Sequence, residues 1–263
     1  MSSTLILTIT AIVLTALFLF AWWLARRIEN YSIVDVTWSL AFAPTAIIHA
    51  VLCDGWLPRR AAICCLITLW SLRLGLYLWG RVAAHHPRVD PRYAILQKRW
   101  EKNPERAFLF FFLLQGLLVW FLMLPVHLVS GNPATAFHPL EFVGITIWII
   151  GLLGEGTADA QLKRFKKTST DRLSVCRLGL WQYSRHPNYF FQSLLWWGLF
   201  LMALPMAWGW ACIIAPIAML HFILNVTGIP LTEELALEKR GEIYRDYQST
   251  TSAFIPLPPK KNP

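Results

Sequence analysis

The chain has 263 residues, of which 56% are hydrophobic and only 15% charged, and its mean hydropathy is +0.47. This excludes an ordinary soluble domain, because its apolar runs approach the roughly 20 residues that cross a ~30 Å hydrocarbon core. The formal net charge is +9, but the cations sit in loops between apolar runs and form no recognisable nucleic-acid module, so nucleic acid is not an expected partner.

In chain order, seven spans are predicted, over 5–25, 33–52, 61–80, 107–129, 140–155, 190–204 and 206–225. Runs of this length are helices, because barrel strands are shorter and a lipid-exposed backbone must satisfy itself. The first run lacks a basic leader and a small-residue cleavage site, so it reads as a retained helix. Lys and Arg concentrate in alternate loops: at Arg26 and Arg27, in the segment from Arg81 through Arg88 to Arg106, from Lys163 through Arg172 to Arg185, and in the tail from Lys239 to Lys261. The second loop holds Arg59 and Arg60, and the fourth and sixth hold none. This alternation predicts the amino terminus outside and the carboxyl terminus in the cytosol. The expected fold is an all-α polytopic bundle of about seven transmembrane helices. It forms one integral membrane domain over 1–263, among membrane lipids, with cytosolic loops and a short cytosolic tail helix. The sequence leaves open a bacterial inner membrane or an endoplasmic reticulum.

Two ions fall inside spans: Asp35 in SIVDVTWSL and Arg73 in SLRLGLYLWGR. A charge at such depth costs several kcal/mol, so each needs a partner or a wet cavity. They either pair with each other or line a polar pocket for one polar atom of a lipophilic substrate. Trp38, Trp70 and Tyr77 would complete that pocket, with Asp35 as proton donor. The five cysteines form no C-x-x-C, the histidines form no H-E-x-x-H, and the adjacent His85–His86 cannot share a helix face. No protein-held metal is expected.

GLLGEG (151–156) follows no strand, which argues against a dinucleotide fingerprint and for close helix packing. ADAQLKRFKKT is expected to prolong the fifth helix, with Asp159, Lys163 and Lys166 on one face. Next comes GLWQYSRHPNYFFQSLLWWG, a polar cluster running straight into a Trp-rich segment. Arg forks and Lys charges suit phosphates, so Lys163, Arg164, Lys166, Lys167, Arg185 and His186, with Asn188, form a candidate anion surface. Tyr183, Tyr189, Trp196 and Trp197 are placed either to stack on a planar ring or to form an interfacial belt. In the tail, Thr232 is expected to cap a helix with Glu233 and Glu234 in its first turn, ending near Thr250, before an extended FIPLPP.

ADAQLKRF, GLWQYSRHPNYF, WWG, PLTEE and RGEIYRDYQSTTSAFIPLPPK, together with DVTWSLAF, DPRY, LQKRW and FFLLQG, resemble the DUF1295 group, relatives of the steroid 5-alpha-reductase and sterol-reductase family. The likeness runs from about residue 30 to 261. It implies a seven-helix reductase that holds NADPH at the cytosolic side and passes hydride to a conjugated carbon–carbon double bond of a lipophilic substrate. Carried over by motif, Asp159, Lys166, Asn188, Trp196 and the tail helix near Arg240 and Tyr244 would surround the cofactor, with Arg185, His186 and Tyr189 beside them. The chain departs from that pattern at Phe191-Gln192, where relatives often have Gly-Glu. It departs again at Val34-Asp35 and Trp70, where steroid reductases use a Gln-Glu pair and a tyrosine. Membrane methyltransferases are similar too, through the Arg-His-Pro-x-Tyr segment and the Glu233–Glu234 pair, which would hold S-adenosylmethionine. A non-catalytic lipid- or sterol-binding protein is the third alternative.

Overall fold

A computed structural model describes residues 1–85, 89–171, 173–226 and 228–260. His86, Arg88, Arg172 and Lys261 lie outside the described residues, as does the side chain of His85. The described chain is helical, and its one bridge of extended backbone joins Ser184 to Ser252. It divides into two compact units, Met1–Phe137 and His138–Pro263.

In the first unit, α1 (Ser3–Arg27) lies along α5 (Pro104–Leu122) and α2 (Ile33–Leu52). α2 in turn lies along α3 (Leu57–His85). Two short helices, α4 (Pro91–Arg99) and α6 (Leu124–Gly131), flank α5. Prolines at the first turn of α4, α5 and α6 cost no hydrogen bond there and preset the backbone for a helix. Side chains of Asp90 and Asn103 cap α4 and α5. The core is aromatic: Tyr31 stacks on Phe108, and Trp70 meets Phe42 and Trp38 edge-on.

In the second unit, α7 (Pro139–Thr168) packs along α8 (Pro187–Ala203). His138 and Glu141 form a capping box at the start of α7. α7 runs unbroken through ADAQLKRFKKT, as expected. GLLGEG is a packing surface: a Cβ on Gly151 would stand 2.8 Å from the Phe191 carbonyl oxygen, and one on Gly144 2.6 Å from that of Gly198. The stretch continues through α9 (Ile214–His221) and a π-turn at Phe222–Val226 to α10 (Ile229–Arg240) and α11 (Glu242–Thr250).

The tail differs from expectation at its start. α10 begins at Ile229 because Pro230 occupies its first turn, and Thr232 donates its hydroxyl back to the Gly228 carbonyl (2.8 Å) instead of capping. The helix also breaks at Gly241, whose φ of +52° suits glycine, before α11 ends at Thr250.

Among the described residues, six helical stretches are long and apolar enough to cross a membrane: Ser3–Arg27, Ile33–Leu52, Leu57–Ala84, Pro104–Gly131, Pro139–Thr168 and Gly209–Arg240. Large apolar side chains such as Ile12, Phe20, Leu76, Leu117 and Leu153 are exposed on them, as lipid contact requires. The expected sixth span corresponds to α8, whose 17 residues rise about 26 Å, short of the ~30 Å core.

Candidate functional site

Each unit holds a charged cluster built from residues distant in sequence. In the first unit, Asp35 stands near the start of α2 and takes its partners from DPRY. Asp90 caps α4 by accepting from the Arg92 backbone N–H (3.1 Å), and Pro91 fixes the turn, so Arg92 and Tyr93 leave the first turn of α4 in set directions. Arg92 Nη2 donates to Asp35 Oδ2 at 2.7 Å and the Tyr93 hydroxyl donates to Asp35 Oδ1 at 2.6 Å. Arg92 also binds Asp90 through Nε and Nη2, at 3.0 Å each, and Arg81 Nη2 reaches Asp90 at 3.2 Å and Asp35 at 3.7 Å. Ser32 Oγ accepts from the Asp90 N–H, so the backbone before α2 is tied to the same turn. Two carboxylates thus face two guanidinium groups and one phenol.

Burial and the nearby Asp35 push the Tyr93 phenol well above its ordinary 10.0, so Tyr93 carries a proton at the end of its hydrogen bond. Burial alone would raise Asp90, but its bonds to Arg92 hold it below the usual carboxylate range. Trp70 is buried against α2, and Arg73 and Tyr77 follow at i+3 and i+7, on the same face of α3. Arg92, Tyr93 and Asp90 are the residues that the sequence reading did not assign to this site.

In the second unit, Glu233, just past the first turn of α10, collects four side chains. Arg185 grips it as a fork, with Nε on Oε1 at 2.6 Å and Nη2 on Oε2 at 3.0 Å. His186 Nε2 (3.2 Å) and the Tyr244 hydroxyl (3.4 Å) approach Oε1, and Gln248 Nε2 donates to Oε2 at 2.8 Å. Arg185 also donates Nη1 to the carbonyls of Gln248 and Thr251 and its backbone N–H to that of Ser252. Ser184 Oγ donates to the Phe254 carbonyl, and the Tyr247 hydroxyl to that of Trp181. The Arg-His-Pro-Asn turn is therefore bolted to the tail, and FIPLPP is held through Leu257 N–H on the Tyr183 carbonyl.

The other predicted residues of this unit fall nearby or apart. Asn188 donates to the buried Asp159 at 3.3 Å, linking α8 to α7. Tyr189 stacks on His186 with ring centroids 5.5 Å apart. Lys163 and Lys166 are exposed, one and two turns beyond Asp159. Tyr183 is exposed, Trp196 is buried in the helical core, and Arg240 donates Nε to the Ser174 carbonyl.

A family model described as "Protein of unknown function (DUF1295)" matches residues 21–251. The chain belongs to the DUF1295 family. Asp35, DPRY, the Arg-His-Pro-Asn turn and Glu233 all lie within the DUF1295 match. An uncharacterized protein of Schizosaccharomyces pombe is 26% identical over 268 residues, covering 89% of this chain and 75% of that protein. No solved structure matches the chain.

Proposed function

We propose that this chain is a membrane-embedded, NADPH-dependent reductase that acts on a conjugated carbon–carbon double bond of a lipophilic, steroid- or isoprenoid-like substrate. The observation that carries this reading is the Asp159–Asn188 link. It sets a carboxylate and an amide at the polar start of α8, with the exposed cations Lys163, Arg164, Lys166 and Lys167 further along α7. Those lysines suit a diphosphate, and Asp159 with Asn188 suits ribose hydroxyls or a carboxamide. NADPH would supply the hydride. Arg185 is spent on Glu233 and the tail carbonyls, so its part is to position the turn from which Asn188 projects.

At the substrate end, Asp35 and Tyr93 form an acid–phenol pair in which Tyr93 holds a transferable proton, with Trp70, Arg73 and Tyr77 on the α3 helix beside α2. Tyr93 answers the departure noted at Trp70: the phenol comes from α4 instead of the third span. In this reading the basic loops face the cytosol, with the amino terminus on the other side. The methyltransferase alternative would need an open carboxylate at the Glu pair, whereas Glu233 is matched by a guanidinium fork.

The test is a melting curve of the detergent-purified protein. NADPH should raise the melting temperature, with a stabilisation of about 2.7 kcal/mol at a hundredfold excess over its dissociation constant. Stabilisation by S-adenosylmethionine alone would overturn the proposal, and indifference to both would favour a non-catalytic lipid-binding role.

A further inference from the structure

At the other end of the first unit, three side chains meet that no sequence motif joined. His49 in the last turn of α2, Cys53 at its C-cap and His127 in α6 are all buried, and one ligand atom from each lies within 4.8 Å of the other two. His127 Nδ1 stands 3.2 Å from His49 Nδ1 and 3.8 Å from Cys53 Sγ. Ligands on one ion at about 2.0 Å for nitrogen and about 2.3 Å for sulfur lie roughly 3.3–3.8 Å apart, whether trigonal or tetrahedral. His49 and Cys53 are at i and i+4, so one helix end presents both on one face. The cluster is about 21 Å along α2 from Asp35, by the helical rise over 14 residues, and is separate from the site above.

We propose that His49, Cys53 and His127 bind one Cu(I) ion. Imidazole and thiolate ligands select Cu(I) or zinc among common ions. Charge decides between these two. Cu(I) with one thiolate is neutral, whereas Zn(II) would leave a net positive charge among buried groups, next to the Arg60 guanidinium that donates to the Cys53 carbonyl. Burial of all three ligands also suits a closed, low-coordinate ion better than one that keeps a water. Binding releases the Cys53 thiol proton and requires both imidazoles to carry their proton on Nε2, leaving each Nδ1 lone pair for the metal. Asp54, beside Cys53, is mostly exposed and paired with the amino-terminal ammonium, so the site is one residue from the surface.

The experiment uses the reduced full chain in detergent, stripped with chelator, in a Cys64→Ser/Cys65→Ser background that removes the more accessible thiols. It is equilibrated with Cu(I) buffered by bathocuproine. The expected result is one equivalent of copper retained and at least a tenfold slower maleimide labelling of Cys53, with buried Cys176 and Cys212 unchanged as internal controls. His127→Gln and His49→Gln should lose both effects. If these variants do not fold, X-ray absorption of the copper-loaded parent protein should show one sulfur and two nitrogen neighbours. The proposal is overturned by no retained copper, by retention that survives His127→Gln, by a coordination shell without sulfur, or by retention of Zn(II) alone. In the first case the three residues are an ordinary hydrogen-bonded chain.

Discussion

The Asp35 cluster and the Glu233 cluster solve the same problem, a charge on a helix that must be neutralised by a segment far away in sequence, in opposite ways. Around Asp35 the load is shared: Arg92 binds both Asp35 and Asp90, and Arg81 reaches both as well. Around Glu233 it is concentrated, since one carboxylate receives Arg185, His186, Tyr244 and Gln248. The side chains differ in access too. Asp35, Asp90 and Arg92 are 21–23% exposed, whereas Arg185 is 9% exposed. A shared network can lose one member and still satisfy the rest, and it can take up or give a proton at a reachable edge. A hub cannot, which suits it to holding a turn in place.

The largest expected effect is therefore Glu233→Ala. It leaves the Arg185 guanidinium buried without its counter-ion and unpins the tail, at a cost of about 3–5 kcal/mol. Thermal unfolding with limited proteolysis of 228–260 measures it. A loss no greater than that of Asp90→Ala would break the distinction between hub and network.

Asp35→Asn should cost less, about 2 kcal/mol, because Asp90 still holds Arg92 and Arg81 after the charge-assisted bonds to Asp35 weaken. Under the proposed function the same variant keeps nucleotide stabilisation but loses turnover. Intact turnover with the expected loss of stability would make Asp35 a structural anchor only.

Much of this architecture was legible in the sequence, and what was hidden has a common cause. Apolar run length gave six of the seven expected spans, the i, i+4, i+7 spacing gave the extension of α7, and the glycines of GLLGEG gave the approach of α8. Asp35 was legible as an ion in need of a partner, but Arg92 and Tyr93 lie 57 and 58 residues on, and no local period links them. The signal was in DPRY, where a capping Asp and a first-turn Pro fix a helix start and so aim the next two side chains. Likewise Arg185 reads as a phosphate clamp in its own turn, because its counter-ion lies in PLTEE, beyond any local period. The two motifs carry opposite charge, and pairing them across 48 residues would have found the hub. His49 and Cys53 share a helix face at i, i+4, but a three-ligand cluster shows only once α6 brings in His127.

The smallest effect, and the finest probe of the shared network, is alkaline. Tyr93 ionises well above its ordinary 10.0 in the folded state, because burial and Asp35 oppose its anion. A raised folded value gives stability that is complete below pH 10 and lost as pH climbs through 10 towards the folded value, because the unfolded chain releases the proton first. Tyr31, Tyr244 and Tyr247 are shifted the same way, each mainly by burial. Tyr93→Phe should remove one phenol's share of the decline, up to about 1.4 kcal/mol per pH unit, while costing ~1–2 kcal/mol at neutral pH for the lost bond to Asp35. Denaturation between pH 9 and 11, with phenolate absorbance followed in parallel, separates the two. An unchanged alkaline slope would mean that Tyr93 reaches water in the folded state, and the network would then lack the held proton that the proposed chemistry draws on.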